Sequence, residues 1–402
     1  MKKAHLLLIT MFMVCFNALY SQTWVNQNTP GNVDPKYCIQ FISPTTGWLG
    51  GMAGTLFHTT DGGTTWTEQD AGTSAWFDDM HFINDTIGFL AAGIQQGGLI
   101  LSTTDGGITW DIDTFPGISL IKSVYFVNDS IGWASGSNGK ILKTIDRGTN
   151  WVLHNTPVTA ELQKIYFTDI NYGWAVGESG TIIKTIDGGI NWTEENSTAT
   201  GWLSEVFFTD RLKGWASGFE GTMLHTTDGG TTWLIQNTPA TGHIEGLHFI
   251  NSDIGWACAG GPGKIMYTID GGINWNTFSA SWDGLYDIFF YDLNNGWAVG
   301  WDLVLHTTQG GLISSLEEMN DGADNYSIYP VPSSGQLTVK STTPILEATI
   351  MTVNGKKIYH QTFENSGLDN IGIDISGFAK GTYLLMLVDT NKAHVFKKLI
   401  IE

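Results

Sequence analysis

The chain has 402 residues, a net charge of −20 and only nineteen lysines and arginines. Such an acidic surface repels phosphate backbones and excludes nucleic acid as a partner. Three cysteines are too few for a disulfide framework. In chain order, residues 1–21 come first. Lys2 and Lys3 precede the apolar run LLLITMFMVCF, and ALYS supplies small residues before Gln22. This pattern predicts a cleaved leader for export, after which the net charge is −22. No later stretch reaches the roughly 18–20 apolar residues that a membrane span requires.

Residues 22–311 read as a repeat array. One ladder is GWLGG at 47, GFLAAG at 88, GWASG, GWAVG, GWASG, GWACAG and GWAVG, marked by Trp48, Phe89, Trp133, Trp174, Trp215, Trp256 and Trp297. The period is 41 residues, except for 44 between the second and third rungs. A second ladder lies between the rungs, from TTDGGTTW at 59 to TIDGGINW at 268; its seventh copy, TTQGGLIS at 307, lacks both the Asp and the Trp. Each unit reads as four short β-branched strands separated by Gly, Asn and Asp turns, with no sustained helical period. The expected fold is all-β, a seven-bladed β-propeller. The seventh unit has only three strands, whereas TWVNQN at 23–28 is an orphan fourth strand. That N-terminal strand is expected to complete the last blade, close the ring and cover its edge. Cys38 and Cys258 fall in non-adjacent blades, too far apart for a bridge, and both thiols are expected to be free.

The motif Ser/Thr-x-Asp-x-Gly-x-x-Trp resembles the Asp-box, or BNR repeat. Families that carry it include sialidases, sortilin-type receptors, xyloglucanases and photosystem II assembly-factor propellers; the 41-residue period and GWAxG are most similar to the last. The six Asp-box residues, Asp61, Asp105, Asp146, Asp187, Asp228 and Asp270, are expected to be structural, each accepting backbone N–H groups of its own turn. The second glycine supplies a positive φ, and the Trp packs back onto its blade. Six equivalent carboxylates around a rim cannot converge on one substrate. Sialidase activity, which the resemblance ties to three convergent arginines, is excluded by having only Arg147 and Arg211.

No metal, cofactor or nucleophile constellation stands out. The histidines lack paired spacing, and His58, His225 and His306 share one repeat position with Lys143 and Lys184, which reads as a structural slot. Asp78, Asp79, Glu205, Glu245 and Asp287 lie on or just before first strands and are expected in solvated acidic loops. The loops leading into the blades and those joining second to third strands share one face of the ring. Trp76, Trp202 and His243 take equivalent positions there, with Trp282, Phe219 and Trp301 nearby. These aromatic residues, rimmed by Glu205, Glu220, Asp283 and Asp302, are expected to form a platform for a sugar or a protein partner.

Residues 312–326 read as a polar linker. The tail, 327–402, alternates as short strands split by NG and KG turns, a small antiparallel sandwich. YPVPSSG at 329–335, NGKKI at 354–358, GTYLLML at 381–387 and the closing KKLIIE resemble the type A C-terminal sorting domain of the type IX secretion system. Val331 stands where that family has Asn between the prolines. The resemblance implies handling by the type IX machinery, and release or anchoring at the outer-membrane surface after export to the periplasm. The expectation is a monomeric, non-enzymatic binding or assembly module without cofactor, directed at an unidentified surface protein or glycan. The alternative is a carbohydrate-active enzyme or glycan-binding protein using the same face.

Overall fold

A computed structural model describes residues 24–401, apart from 31–33, 95–96, 262, 280–283, 309, 311–325, 331, 334, 353–355, 364–367 and 391–393. The expected leader (1–21), nearly all of the linker, and the site residues Trp282 and Asp283 lie outside the described residues.

Seven antiparallel sheets of four strands follow one another along the chain. Six are consecutive. The seventh takes Leu285–Phe290, Gly296–Gly300 and Leu303–Thr307 from its own repeat and Val25–Asn26 from the N-terminal segment. Val25 lies opposite His306 and Asn26 opposite Leu305, and the Gln27 N–H extends the pairing to the Val304 carbonyl at 2.7 Å. The first strand of each sheet packs against the first strands of both neighbouring sheets, and Lys36–Phe41 of the first blade meets Leu285–Phe290 of the seventh. The ring is therefore closed. Outer strands are shorter than the alternation suggests, two to five residues, and begin after the Asp-box Trp.

The two sequence ladders interlock between blades. Each GW tryptophan (Phe89 in blade two) stacks flat on the last Phe of the next blade's first strand. Ring centroids are 3.5 Å apart for Trp297 on Phe41 and 4.0 Å for Phe89 on Phe126. The other five pairs fall between. Each indole N–H also donates to a glycine carbonyl in the next blade's Asp-box turn, as from Trp174 to Gly229 at 3.0 Å and from Trp297 to Gly62 at 3.1 Å. The preceding glycine is required by this packing, since a Cβ at Gly173 would lie 2.4 Å from the Phe167 ring. Blade two breaks the pattern consistently. Phe89 has no N–H to give, and the turn it faces carries Arg147 in place of the first glycine. Arg147 sits at φ 61° and ties its guanidinium to Asp129.

The Asp-box carboxylates serve their own turns. Asp61 accepts the Thr65 N–H at 2.8 Å and the Thr59 hydroxyl at 2.9 Å, while that hydroxyl accepts the Gly63 N–H. The other five copies repeat this. Hydrogen bonds from Thr65 hold the Asp61 carboxyl below its ordinary range. The shared histidine position is also structural. His58, His225 and His306 stack on Trp48, Trp215 and Trp297, and Lys143 sits over Trp133. Cys38 and Cys258 are buried and free.

In the tail, one long strand, Gln336–Thr352, organises the sheet. Its first half pairs with Tyr326–Tyr329 and Leu368–Asp374; its second half pairs with Lys357–Thr362 and Gly381–Asp389, and His394–Ile401 adds to the latter. The shared strand changes register between Lys340 and Ile345 and encloses a core that includes Leu337, Ile350, Ile373, Leu385 and Leu399. Met351 and Met386 pack against the ring near Ile254 and Leu293, and Lys357 pairs with Asp253.

Candidate functional site

The first strands line the central channel, and a shared irregularity decides what points into it. In six blades the register slips between the first and third residues, as between Leu162 and Lys164; in blade two it slips between Phe77 and Asp79. Such bulges re-aim side chains and leave an N–H without a ladder partner. Counting back from the Phe that recurs in every first strand, the residue immediately before it faces the axis. These residues form a girdle: His81 meets Tyr125, Tyr125 meets Tyr166, Tyr166 meets Phe207, Phe207 meets His248 and His248 meets Phe289, at 4.9–5.2 Å between centroids.

Above the girdle sits a charged cluster. The ammonium of Lys164 in blade four lies 3.2 Å from Asp79 of blade two and 3.1 Å from Glu205 of blade five. Asp79 also accepts the Ser123 hydroxyl at 2.6 Å and the Val124 N–H at 3.1 Å. Asp287 accepts the N–H groups of Ile39 and Ile288 at 2.9 and 2.7 Å. Carboxylates from blades two and seven thus satisfy bulge N–H groups of blades three and one. Burial alone would lower the Lys164 pKa, but Asp79, Glu205 and Asp287 overcome it and hold the group well above its ordinary value. One ammonium cannot keep three carboxylates ionised. Burial raises Glu205 to about 8 and Asp287 to about 6, with Lys164 opposing both shifts.

The cluster opens through a cavity of about 250 Å³, bordered by Tyr37, Lys122, Trp202, His243, Glu245 and Tyr286. Asp78 and Lys122 pair at 3.0 Å on its edge and separate it from a second hollow beside Trp76. Among the described residues, no His, Cys, Asp or Glu group is arranged to hold a metal, and no helix is long and apolar enough to cross a membrane.

The structure separates the expected site residues into distinct places. Trp76, Trp202 and Trp301 are 52, 50 and 52% exposed, and Phe219 is 37% exposed. Tyr37 joins Trp76 to Tyr286, at 6.2 and 5.2 Å, and Phe219 meets His243 edge-on at 4.6 Å. Asp302 is exposed and reaches Lys36 at 3.9 Å, while Glu220 occupies a tight turn at φ 51°. Two expectations need correction. Glu205 is no rim residue; it is buried beneath the platform, against Lys164. Nor do Asp78, Asp79, Glu205, Glu245 and Asp287 lie in solvated loops, because the bulged strands turn all five toward one cavity. Tyr37, Lys122, Lys164 and Tyr286 were not singled out in the sequence. Aligning the seven first strands on their Phe would have shown them at two recurrent positions.

Comparison with known proteins follows this division. The tail, residues 327–402, matches the secretion system C-terminal sorting domain. The ring matches the photosynthesis system II assembly factor YCF48 over 16–112, 150–234 and 198–283, more than half of the chain. No curated protein matches the sequence. Among solved structures, YCF48 bound to D1 peptide is similar at 20% identity and a TM-score of 0.61, covering 71% of this chain and 97% of that one. YCF48 from Cyanidioschyzon merolae gives 20%, 0.59, 71% and 98%. Virginiamycin B lyase from Staphylococcus aureus gives 16%, 0.59, 71% and 98%, a likeness of fold alone. With its interlocked seven-sheet ring and its C-terminal sorting sheet, the chain belongs to the photosynthesis system II assembly factor YCF48 family and carries a type IX sorting domain.

Proposed function

We propose that the ring is a non-enzymatic binding or assembly module that works outside the cell. The chain would pass the inner membrane by residues 1–21 and the outer membrane by 327–402, to be released or anchored at the surface. Its partner, a surface protein, would sit on the face that carries Trp76, Trp202, Phe219 and Trp301. The observation that carries this reading is the exposure of three tryptophans, with Trp202 bordering the channel cavity and Trp76 the neighbouring hollow, in a protein that buries nearly all its other described ones. Half-exposed indoles at the rim of a concavity are what binding surfaces use as anchors. Changing Trp76, Trp202 and Trp301 to alanine is expected to abolish capture of the partner from surface extracts. Tm should stay within a few degrees, because exposed side chains contribute little to the fold. Retained capture would defeat the proposal.

A second reading, a carbohydrate-active or glycan-binding ring, draws on the same aromatics beside carboxylates. Glu205, raised to about 8 in a cleft, has the character of a general acid. Against catalysis, the Lys164 ammonium contacts both Asp79 and Glu205 and fills the gap that a sugar and water would need. A glycan panel applied to the same tryptophan variants separates the two readings.

The tail supports a further expectation. A reporter fused to 327–402 should reach the surface in a type IX-competent cell, whereas the chain ended at Gly311 should stay in the periplasm. Surface display of the shortened chain would remove the tail's role.

A further inference from the structure

The cavity above Lys164 has a charge balance that its own residues do not meet. Asp78 is matched by Lys122, and Glu245 lies 3.5 Å from His243. Below them, Asp79, Glu205 and Asp287 share the single ammonium of Lys164. Glu205 holds a proton in the empty cavity, and an entering cation would let it ionise, a gain that a neutral sugar does not offer. Volume narrows the choice. About 250 Å³ lies below the roughly 300–1,000 Å³ of small-molecule sites, and suits one long side chain entering from the mouth. The walls narrow it again. Tyr37 and Tyr286 meet at 5.2 Å on one side, and the half-exposed Trp202 borders the other. A flat, weakly hydrated cation can stack on such rings while its donors fork onto carboxylates, which describes a guanidinium better than an ammonium. The chain's net charge of −20 would steer a basic partner toward the ring from a distance.

We propose that the channel mouth is a receptor for an arginine side chain presented by a polypeptide partner, held between Trp202 and the Tyr37–Tyr286 pair and neutralised by Glu205 and Asp287. This rests on the reading of the ring as a binding module and specifies the chemistry of its ligand.

The test is calorimetric titration of the full chain with acetyl-Gly-Arg-Gly-amide and with the same peptide carrying citrulline, which keeps the shape and removes the charge. The arginine peptide is expected to bind at least about tenfold more tightly, the scale of a charge-assisted contact. Glu205→Gln with Asp287→Asn should reduce that binding about tenfold or more with Tm retained. Should that pair of changes unfold the ring, Ser204→Lys, at a half-buried residue that lines the cavity, is expected to abolish binding by supplying an internal cation. Equal affinity for both peptides, no binding at millimolar concentration, or indifference to these substitutions would overturn the proposal. If partner capture is lost in the tryptophan variants but survives Glu205→Gln with Asp287→Asn, the arginine receptor fails and the binding face stands. If the arginine peptide binds as expected while the tryptophan variants still capture the partner, the reverse holds.

Discussion

Deleting residues 22–28, or changing Trp24→Ala, is expected to cost the ring about 3–5 kcal/mol, the range for removing a large aromatic side chain from a core. A terminal residue ordinarily tolerates truncation at almost no cost. Trp24 differs because it occupies a repeat slot that the seventh blade cannot fill for itself. It stands edge-on to Phe290 at 5.7 Å, as Trp192 stands on Phe167 at 5.9 Å inside an intact blade. Beyond it, Gln27 donates from blade seven to the Gly62 carbonyl in blade one at 2.9 Å, the same carbonyl that receives the Trp297 indole. One short segment thus ties both ends of the ring together. Its loss also exposes the edge of Leu303–Thr307 to other chains. Val25→Ala provides the control, since that side chain points to solvent and should change stability by no more than about 0.5 kcal/mol. Denaturant unfolding of the four proteins decides the matter. Equal midpoints for the wild type and Trp24→Ala would show that closure does not depend on the borrowed strand.

The ring was legible because its determinants repeat. Seven evenly spaced GW signals specify seven units, and the missing Trp of the last copy points directly at Trp24. Side chains that act within one repeat were legible for the same reason. Asp61 and its five equivalents bond the turn in which they lie, and the local motif contains both partners. What the sequence did not disclose is contact across blades. The Trp174 indole bonds Gly229, 55 residues away, and Lys164 reaches Asp79 across 85. Strict alternation puts Glu205 at the rim because it ignores the bulge, and one slipped residue turns a side chain from the surface to the channel. The aromatic face was easier to see, because Trp76 and Trp202 share a position relative to Phe82 and Phe208. Trp301 could be placed only by its loop.

Buried titratable groups give the ring a stability maximum near pH 6.5, expected to fall away on both sides. On the acid side, burial lowers His81, His248 and His306 to about 4 from an ordinary 6.5. Between those values the unfolded chain binds protons that the folded chain refuses. The stability these groups contribute is therefore present above 6.5 and lost as pH falls through 4, on the order of 3 kcal/mol for each. Asp287, raised to about 6, and Glu205, raised to about 8, work in the opposite direction over part of this window, but three histidines outweigh two carboxyls. On the alkaline side Glu205 dominates. Its folded value near 8 lies above the unfolded 4.5, so its favourable contribution is complete below 4.5 and is lost as pH rises through 8. Between pH 6.5 and 8 this amounts to at most about 2 kcal/mol of lost stability, partly offset just above 6.5 where the unfolded histidines finish titrating. Two substitutions separate the limbs. Glu205→Gln should flatten the alkaline limb and steepen the acid limb between pH 4.5 and 6.5, where Glu205 opposes the histidines. His248→Phe should soften the acid limb, and the girdle can accept the change because Phe207 and Phe289 hold the equivalent positions on either side. Thermal unfolding of the three proteins from pH 4 to 9 provides the measurement. A wild-type curve that keeps rising from pH 6.5 to 8.5 would mean that Glu205 is ionised in the folded ring, with Lys164 able to hold more than one buried carboxylate at once.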